Sequence, residues 1–378
     1  MSDIRAMPTS LNRLDRLRQF LAQDPNNIRL IQDAAEVAYE LSDLAEAQAL
    51  LDRLAALGPL GEEQTNLAGL VALRQGRYDD AIRHFADLRD SRVPGSAIRF
   101  NLAWASAMAK RREEALALLD DATLKVSPEG PWLKIQLLHH LGRLDEGLAL
   151  GKQLAVDHAD DTRLMGALAI MALDAGDLAQ ARAYAVAARD DLNGIATLGL
   201  LRLGEGDTAA ADECFAHGLA QGGDNPRLWI GRGLSLLEQG QTEEAARDLE
   251  KGASLFETHT GTWIASGWAR FAAGDEVAAR AHFQRALALD PNFAEAHGGL
   301  AVLSILAGDI EQGRQGAQIA IRLDRKALGA QLAQILLLEQ RGETRAAETL
   351  RRTALNMPVG PDGLTIGEAI ARLSLRRG

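Results

Sequence analysis

Ten positions along the chain carry one short pattern at a nearly constant distance. Gly274 is followed five residues later by Ala279, and the same pair recurs as Gly76/Ala81, Gly176/Ala181, Gly206/Ala211, Gly240/Ala245 and Gly342/Ala347. Gly142/Gly147 and Gly308/Gly313 keep the first glycine and put glycine second. Ser42/Ala47 and Lys110/Ala115 keep the alanine alone. Successive first positions lie 34, 34, 32, 34, 30, 34, 34, 34 and 34 residues apart. Seven of nine intervals are identical, which chance does not supply. A chain of 378 residues would otherwise suggest two or three ordinary domains; this one is an array.

Each interval divides into two helical runs. Upstream of Gly274, TWIASGWARFAA carries apolar or small residues at Trp263, Gly267 and Phe271. Downstream, GDEVAARAHFQRALALDPN places Ala279, Phe283 and Ala286 on one face. The glycine ends the first helix because it takes a positive φ without a Cβ penalty. Proline ends the second, and Pro25, Pro59, Pro94, Pro128, Pro226, Pro291 and Pro358 fall at or near that boundary. Hydrophobic residues make up 47% of the chain but aromatics only 4%, with much Ala and Leu, a mix that favours closely packed helices over sheets.

Period and residue types together resemble the tetratricopeptide repeat, whose pattern is Trp-x2-Leu-Gly-x2-Tyr followed by Ala, Phe, Ala and Pro. Over 260–293, Trp263 and Gly267 fill the Trp and Gly places, and Ala279, Phe283, Ala286 and Pro291 fill the rest. Ser266 and Arg270 stand at the Leu and Tyr places. The resemblance covers roughly 28–358 and implies an all-α, right-handed superhelical solenoid of about ten helix-turn-helix repeats. It divides as a half-repeat or capping helix at 1–27, repeats 1–5 at 28–191, repeats 6–10 at 192–358 and a capping helix at 359–378. The short 30-residue interval, rich in glycine, predicts an irregular and flexible joint near 190–207. Gly69, Gly199, Gly233 and Gly267 recur at one helical place. Glycine there costs about 1 kcal/mol relative to Ala, so close contact between paired helices is the expected reason.

The residues offer little chemistry. Glycines follow the repeat and form no phosphate loop of the GxGxxG or GxxxxGK[ST] kind. Cys214 is the single cysteine, so no internal disulfide forms, and with scattered histidines no zinc framework is expected. His139 and His140 are adjacent and point about 100° apart on a helix, a poor pair for one metal. The acidic pairs Asp79/Asp80, Glu113/Glu114 and Glu243/Glu244 follow the turns, where a helix start favours negative charge. No cofactor, metal or catalysis is expected. A net charge of -11 argues against nucleic acid as partner. No run of about 18 apolar residues spans a membrane. No apolar leader opens the sequence, so a cytoplasmic location is expected. The Arg-, Ala- and Gly-heavy usage is of the kind a GC-rich bacterial genome produces.

The resemblance implies that first helices line a concave groove, with repeat places 2, 5, 6, 9, 12 and 13 facing it. Trp229 and Trp263 then fall at a packing place, and Trp104, Trp132 and Trp268 on groove places. Two candidate partner-binding clusters follow: Phe100, Asn101, Trp104 and Met108 with Trp132, Gln136, His139 and His140, and Ile264, Trp268 and Phe271. Asn101 stands where some relatives bond a peptide backbone. The Lys, Arg and Asn clamp that others use for a terminal carboxylate is not matched. Asp33, Glu36 and Glu40 are acidic groove places, so the expected partner is a protein or peptide with an apolar and basic segment. The expected role is a scaffold or adaptor. An assembly or docking factor for a pilus, secretion or cell-envelope polysaccharide machine, peripheral to the membrane, and a substrate-presenting repeat subunit of an enzyme system are the alternatives.

Overall fold

The computed structural model describes residues 9–88, 95–256 and 258–355 and divides the chain into two compact units, Met1–Asp157 and His158–Gly378. The capping helix expected at 359–378 lies outside the described residues. The first unit contains α1 (Thr9–Gln23), α2 (Ile28–Glu40), α3 (Leu44–Leu57), α4 (Glu62–Arg74) and α5 (Tyr78–Asp87). It continues with α6 (Gly95–Met108), α7 (Arg112–Leu118), the short α8 (Asp121–Leu124), α9 (Glu129–His140) and α10 (Leu144–Asp157). The second unit holds α11 (Thr162–Asp174), α12 (Leu178–Ala187), α13 (Leu192–Gly204), α14 (Thr208–Gln221), α15 (Pro226–Glu238) and α16 (Thr242–Phe256). It ends with α17 (Thr260–Ala272), α18 (Glu276–Leu289), α19 (Ala294–Leu306), α20 (Ile310–Leu323), α21 (Leu328–Gln340) and α22 (Thr344–Leu355). Among the described residues every regular element is a helix. The 190–207 stretch holds the turn into α13, the whole of that helix and the turn after it, inside the second unit.

All ten spaced positions are helix ends in the left-handed conformation. Gly76, Gly142, Gly176, Gly206, Gly240, Gly274, Gly308 and Gly342 have φ between 71° and 87°, and the two that lack glycine, Ser42 and Lys110, both have φ 63°. The hydrogen bonds are those of a Schellman ending: Gly274 N–H donates to Phe271 O (3.0 Å) and Asp275 N–H to Arg270 O (2.9 Å). The residue after the turn then starts the next helix. Asp43, Asp177, Asp207, Asp275 and Asp309 each accept the N–H three residues on through the side-chain carboxylate. One Gly-Asp dipeptide thus closes one helix and opens its partner.

Lys110 should be a stored cost. An L-residue in the left-handed region costs about 1–2 kcal/mol, and glycine gives back part of that through unfolded-chain entropy. Lys110→Gly is therefore expected to raise the free energy of unfolding by up to about 1 kcal/mol in urea denaturation. A destabilised variant would show that the Lys110 side chain contributes more than its backbone loses.

The cores run from repeat to repeat. In the first unit, Leu14, Leu17 and Leu21 of α1 join Ile31, Ala34 and Ala38 of α2 and Leu51 of α3 in one core. In the second unit, Phe215 and Phe283 are among the largest fully buried side chains. Phe283 of α18 lies between two glycine faces. A Cβ built on Gly267 would meet its ring at 2.6 Å, and one on Gly299 at 2.7 Å. Gly69 and Gly199 stand in the same relation to Phe85 and Phe215, which accounts for the recurring helical glycine.

Candidate functional site

In the first unit, α6 and α9 are first helices of consecutive repeats, and their aromatic residues form one run. The Phe100 and Trp104 rings are 5.9 Å apart at 50°, and Trp104 and Trp132 are 5.9 Å apart at 36°. All three are half-buried, resting on a core of Ala103, Leu119, Leu133 and Leu137. Spacing of three and four residues puts Phe100, Trp104 and Met108 on one stripe of α6, and Trp132, Gln136 and His139 on one stripe of α9. Asn101, Gln136 and His139 are half-buried, and Met108 is 38% exposed at the end of the stripe. The His139 and His140 rings stack at 6.1 Å. The structure thus brings the first predicted cluster together with its aromatic faces partly open.

The second cluster is arranged differently. Ile264 is only 7% exposed and belongs to the core around Phe283, so it is a packing residue and not a groove contact. It points inward because α17 presents that edge to α18. Trp268 is half-buried, with its ring edge-on to Phe283 at 5.1 Å and to Phe271 at 5.8 Å. Its indole N–H donates to Glu295 Oε1 at 2.8 Å. Glu295 also accepts the Gly329 N–H at the start of α21 (3.0 Å to Oε1), and burial pushes its carboxyl pKa up. Trp268 therefore ties three repeats together. The two tryptophans assigned to packing are also half-buried: the Trp229 N–H donates to Gly223 O (2.6 Å), and the Trp263 ring meets His282 edge-on at 5.4 Å.

A partly buried polar chain in α16–α18 escaped sequence reasoning, because its members come from three helices with no motif in common. Ser266 Oγ and His282 Nδ1 share a hydrogen bond of 3.0 Å, His282 Nε2 lies 3.8 Å from Glu250 Oε1, and Arg270 bonds Glu250. The order serine, imidazole, carboxylate is that of an activated nucleophile. Here Ser266 has no exposed surface, so no substrate carbonyl reaches its Oγ. Burial lowers the His282 pKa, which disfavours a charged ring in this packing. Among the described residues no group of three or more His, Cys, Asp or Glu is placed to hold a metal ion. No described helix is long and apolar enough to cross a membrane.

Comparison with known proteins gives a consistent result. A tetratricopeptide repeat family model matches residues 66–131 and 196–255, and a second tetratricopeptide repeat model matches 270–336. No curated protein sequence matches the chain. Among solved structures, the chain is similar to a monomeric mutant of IFIT1 with the capped RNA m7Gppp-AAAA. The TM-score is 0.55 at 13% identity, with 98% of this chain and 95% of that one covered. It is also similar to the APC/C hetero-tetramer Cut9-Hcn1 (TM-score 0.48, 12% identity, 93% and 87% covered). A third similar structure is MamA (TM-score 0.36, 22% identity, 42% and 93% covered). At 13% identity the likeness to the IFIT1 structure is one of fold alone.

Proposed function

The chain belongs to the tetratricopeptide-repeat family, and from that premise we propose that it is a scaffold or adaptor without catalysis of its own, binding a protein partner on the first-helix face of its first unit. The observation that carries this reading is the run Phe100–Trp104–Trp132. Large aromatic rings in mutual contact, half-open to solvent and flanked by the amides Asn101 and Gln136, are the composition of an interface hot spot. A partner would lay an apolar segment on the rings and bond its backbone to the amides. The acidic residues Asp33, Glu36 and Glu40 of α2 favour a partner with basic residues beside that segment. Ile264 has no place in the proposal, and Trp268 and Phe271 enter it only as packing that keeps the second unit's repeats in register.

The test is capture of partners from native lysate with the parent chain and with Trp104→Ala. Truncating a central hot-spot tryptophan is expected to weaken the captured complex by about 2 kcal/mol or more, roughly thirtyfold. Folding stability should fall by no more than about 1–2 kcal/mol, because the ring is half in solvent. Unchanged capture by a folded Trp104→Ala chain would refute the site.

A further inference from the structure

One ion pair in the second unit skips a whole repeat. Arg227 Nη1 and Nη2 donate to Asp174 Oδ1 and Oδ2 at 3.2 and 2.7 Å, a two-pronged bond between residues 53 positions apart. Asp174 stands in the last turn of α11 and Arg227 in the first turn of α15. The first helix between them, α13, packs against both. Repeats of a solenoid contact their neighbours, so a bond from one repeat to the next but one departs from the rule. It falls where the repeat interval shrinks to 30 residues. Small residues let the helices draw together there: a Cβ built on Gly166 of α11 would meet Asp191 Oδ1, the cap of α13, at 2.0 Å.

Counted within their repeats, Arg227 is at place 2 and Asp174 at place 13, both groove places of the family. The bond joins one end of α15 to the opposite end of α11, so it crosses α13 obliquely on the groove side. Asn225 Nδ2 donates to Asn193 Oδ1 (2.9 Å) and ties the starts of α13 and α15. The groove places 5 and 6 of α13 are Ala196 and Thr197, and neither has exposed surface. At the same places in α6, Phe100 and Asn101 are half-open. The covered Thr197 hydroxyl has no hydrogen-bond partner, a cost carried by the closed arrangement and removed when water reaches the group. Closure is held from outside: the Arg227 guanidinium also lies over the Phe256 ring at 5.4 Å. The paired side chains are 20% and 31% exposed, so solvent ions reach them.

We propose that the Arg227–Asp174 pair is a strap that holds the groove face of α13 shut, and that its release, favoured by rising ionic strength, opens that face to solvent. The strap lies within the second unit and does not rest on the aromatic run of α6 and α9.

The experiment uses the full chain with Cys214→Ser and Thr197→Cys, which leaves one thiol, at the covered place. Its reaction with N-ethylmaleimide is followed by mass spectrometry. The reagent is neutral, so salt acts on the protein and not on the reagent's approach. With the strap intact the thiol should react far more slowly than in the urea-unfolded chain. Arg227→Gln should speed the reaction about tenfold, as should Asp174→Asn. The chain carrying both should react no faster than the faster single variant, because the two residues act through one bond. Raising NaCl from about 0.1 to 1 M cuts the screening length from about 10 to 3 Å. That should speed the strapped chain severalfold and leave Arg227→Gln unchanged. A thiol placed instead by Ala279→Cys, fully buried in α18, should stay protected throughout. An Arg227→Gln rate within about twofold of the parent would overturn the proposal. So would a strapped chain indifferent to salt, additive effects of the two substitutions, or Ala279→Cys reacting in parallel, which would mean general unfolding.

Discussion

Phe283→Ala is expected to lower the free energy of unfolding by about 3–5 kcal/mol, measured by urea denaturation followed by circular dichroism. The ring is fully buried. The ring packs against the backbones at Gly267 and Gly299 and meets the Trp268 ring in a T-shaped pair. Neither glycine has a side chain that could move into the space, so the cavity left by alanine stays open and the cost falls at the upper part of that range. Phe283→Leu keeps most of the volume and is expected to cost less than half as much. Repeat proteins lose stability locally, since each repeat contacts only its neighbours. The alanine variant should therefore expose α17–α19 to hydrogen exchange well before α2–α5. Uniform loss of protection across both units, or a cost below about 1.5 kcal/mol, would contradict this account of the core.

The same glycines show how much of the molecule was readable in advance. The turn spacing identified ten helix ends, and ten left-handed residues stand at those positions, including Ser42 and Lys110, where residue type alone gives no turn signal. Spacing succeeds there because a repeat transmits its geometry to copies that have lost the key residue. Side-chain direction was less legible. Trp268 shares its repeat place with Trp104, yet its ring leans on Phe283 and its N–H reaches Glu295, 27 residues away. Place numbers describe an averaged helix face and carry no information about which neighbour has a hydrogen-bond acceptor.

Trp268→Ala is expected to cost about 3–5 kcal/mol at neutral pH, more than Trp104→Ala despite the shared repeat place. Two losses combine. The indole body leaves the core it shares with Phe271 and Phe283, and its N–H leaves Glu295, a half-buried carboxylate that then keeps Gly329 N–H as its closest remaining donor. The pH dependence separates them. Burial already raises the Glu295 pKa above its ordinary value of 4.5. The stability linked to a raised carboxyl pKa is fully present below the unfolded pKa and is lost as pH rises through the folded one. Removing a donor to the ionised form raises that pKa further, so the Trp268→Ala penalty should grow as pH rises from about 4.5 to 8. Trp268→Phe, which keeps a ring but has no N–H, should lose less stability yet show the same direction with pH. Adding Glu295→Gln to either variant should flatten the slope, because the titrating group is gone. A Trp268→Ala penalty under about 1 kcal/mol with no pH slope would return Trp268 to the surface. It would then stand beside Trp104 as a free contact for a partner. If the penalty is as large as expected, a loss of partner binding in Trp268→Ala reports a disturbed second unit, and Trp104 is the residue whose removal tests recognition itself.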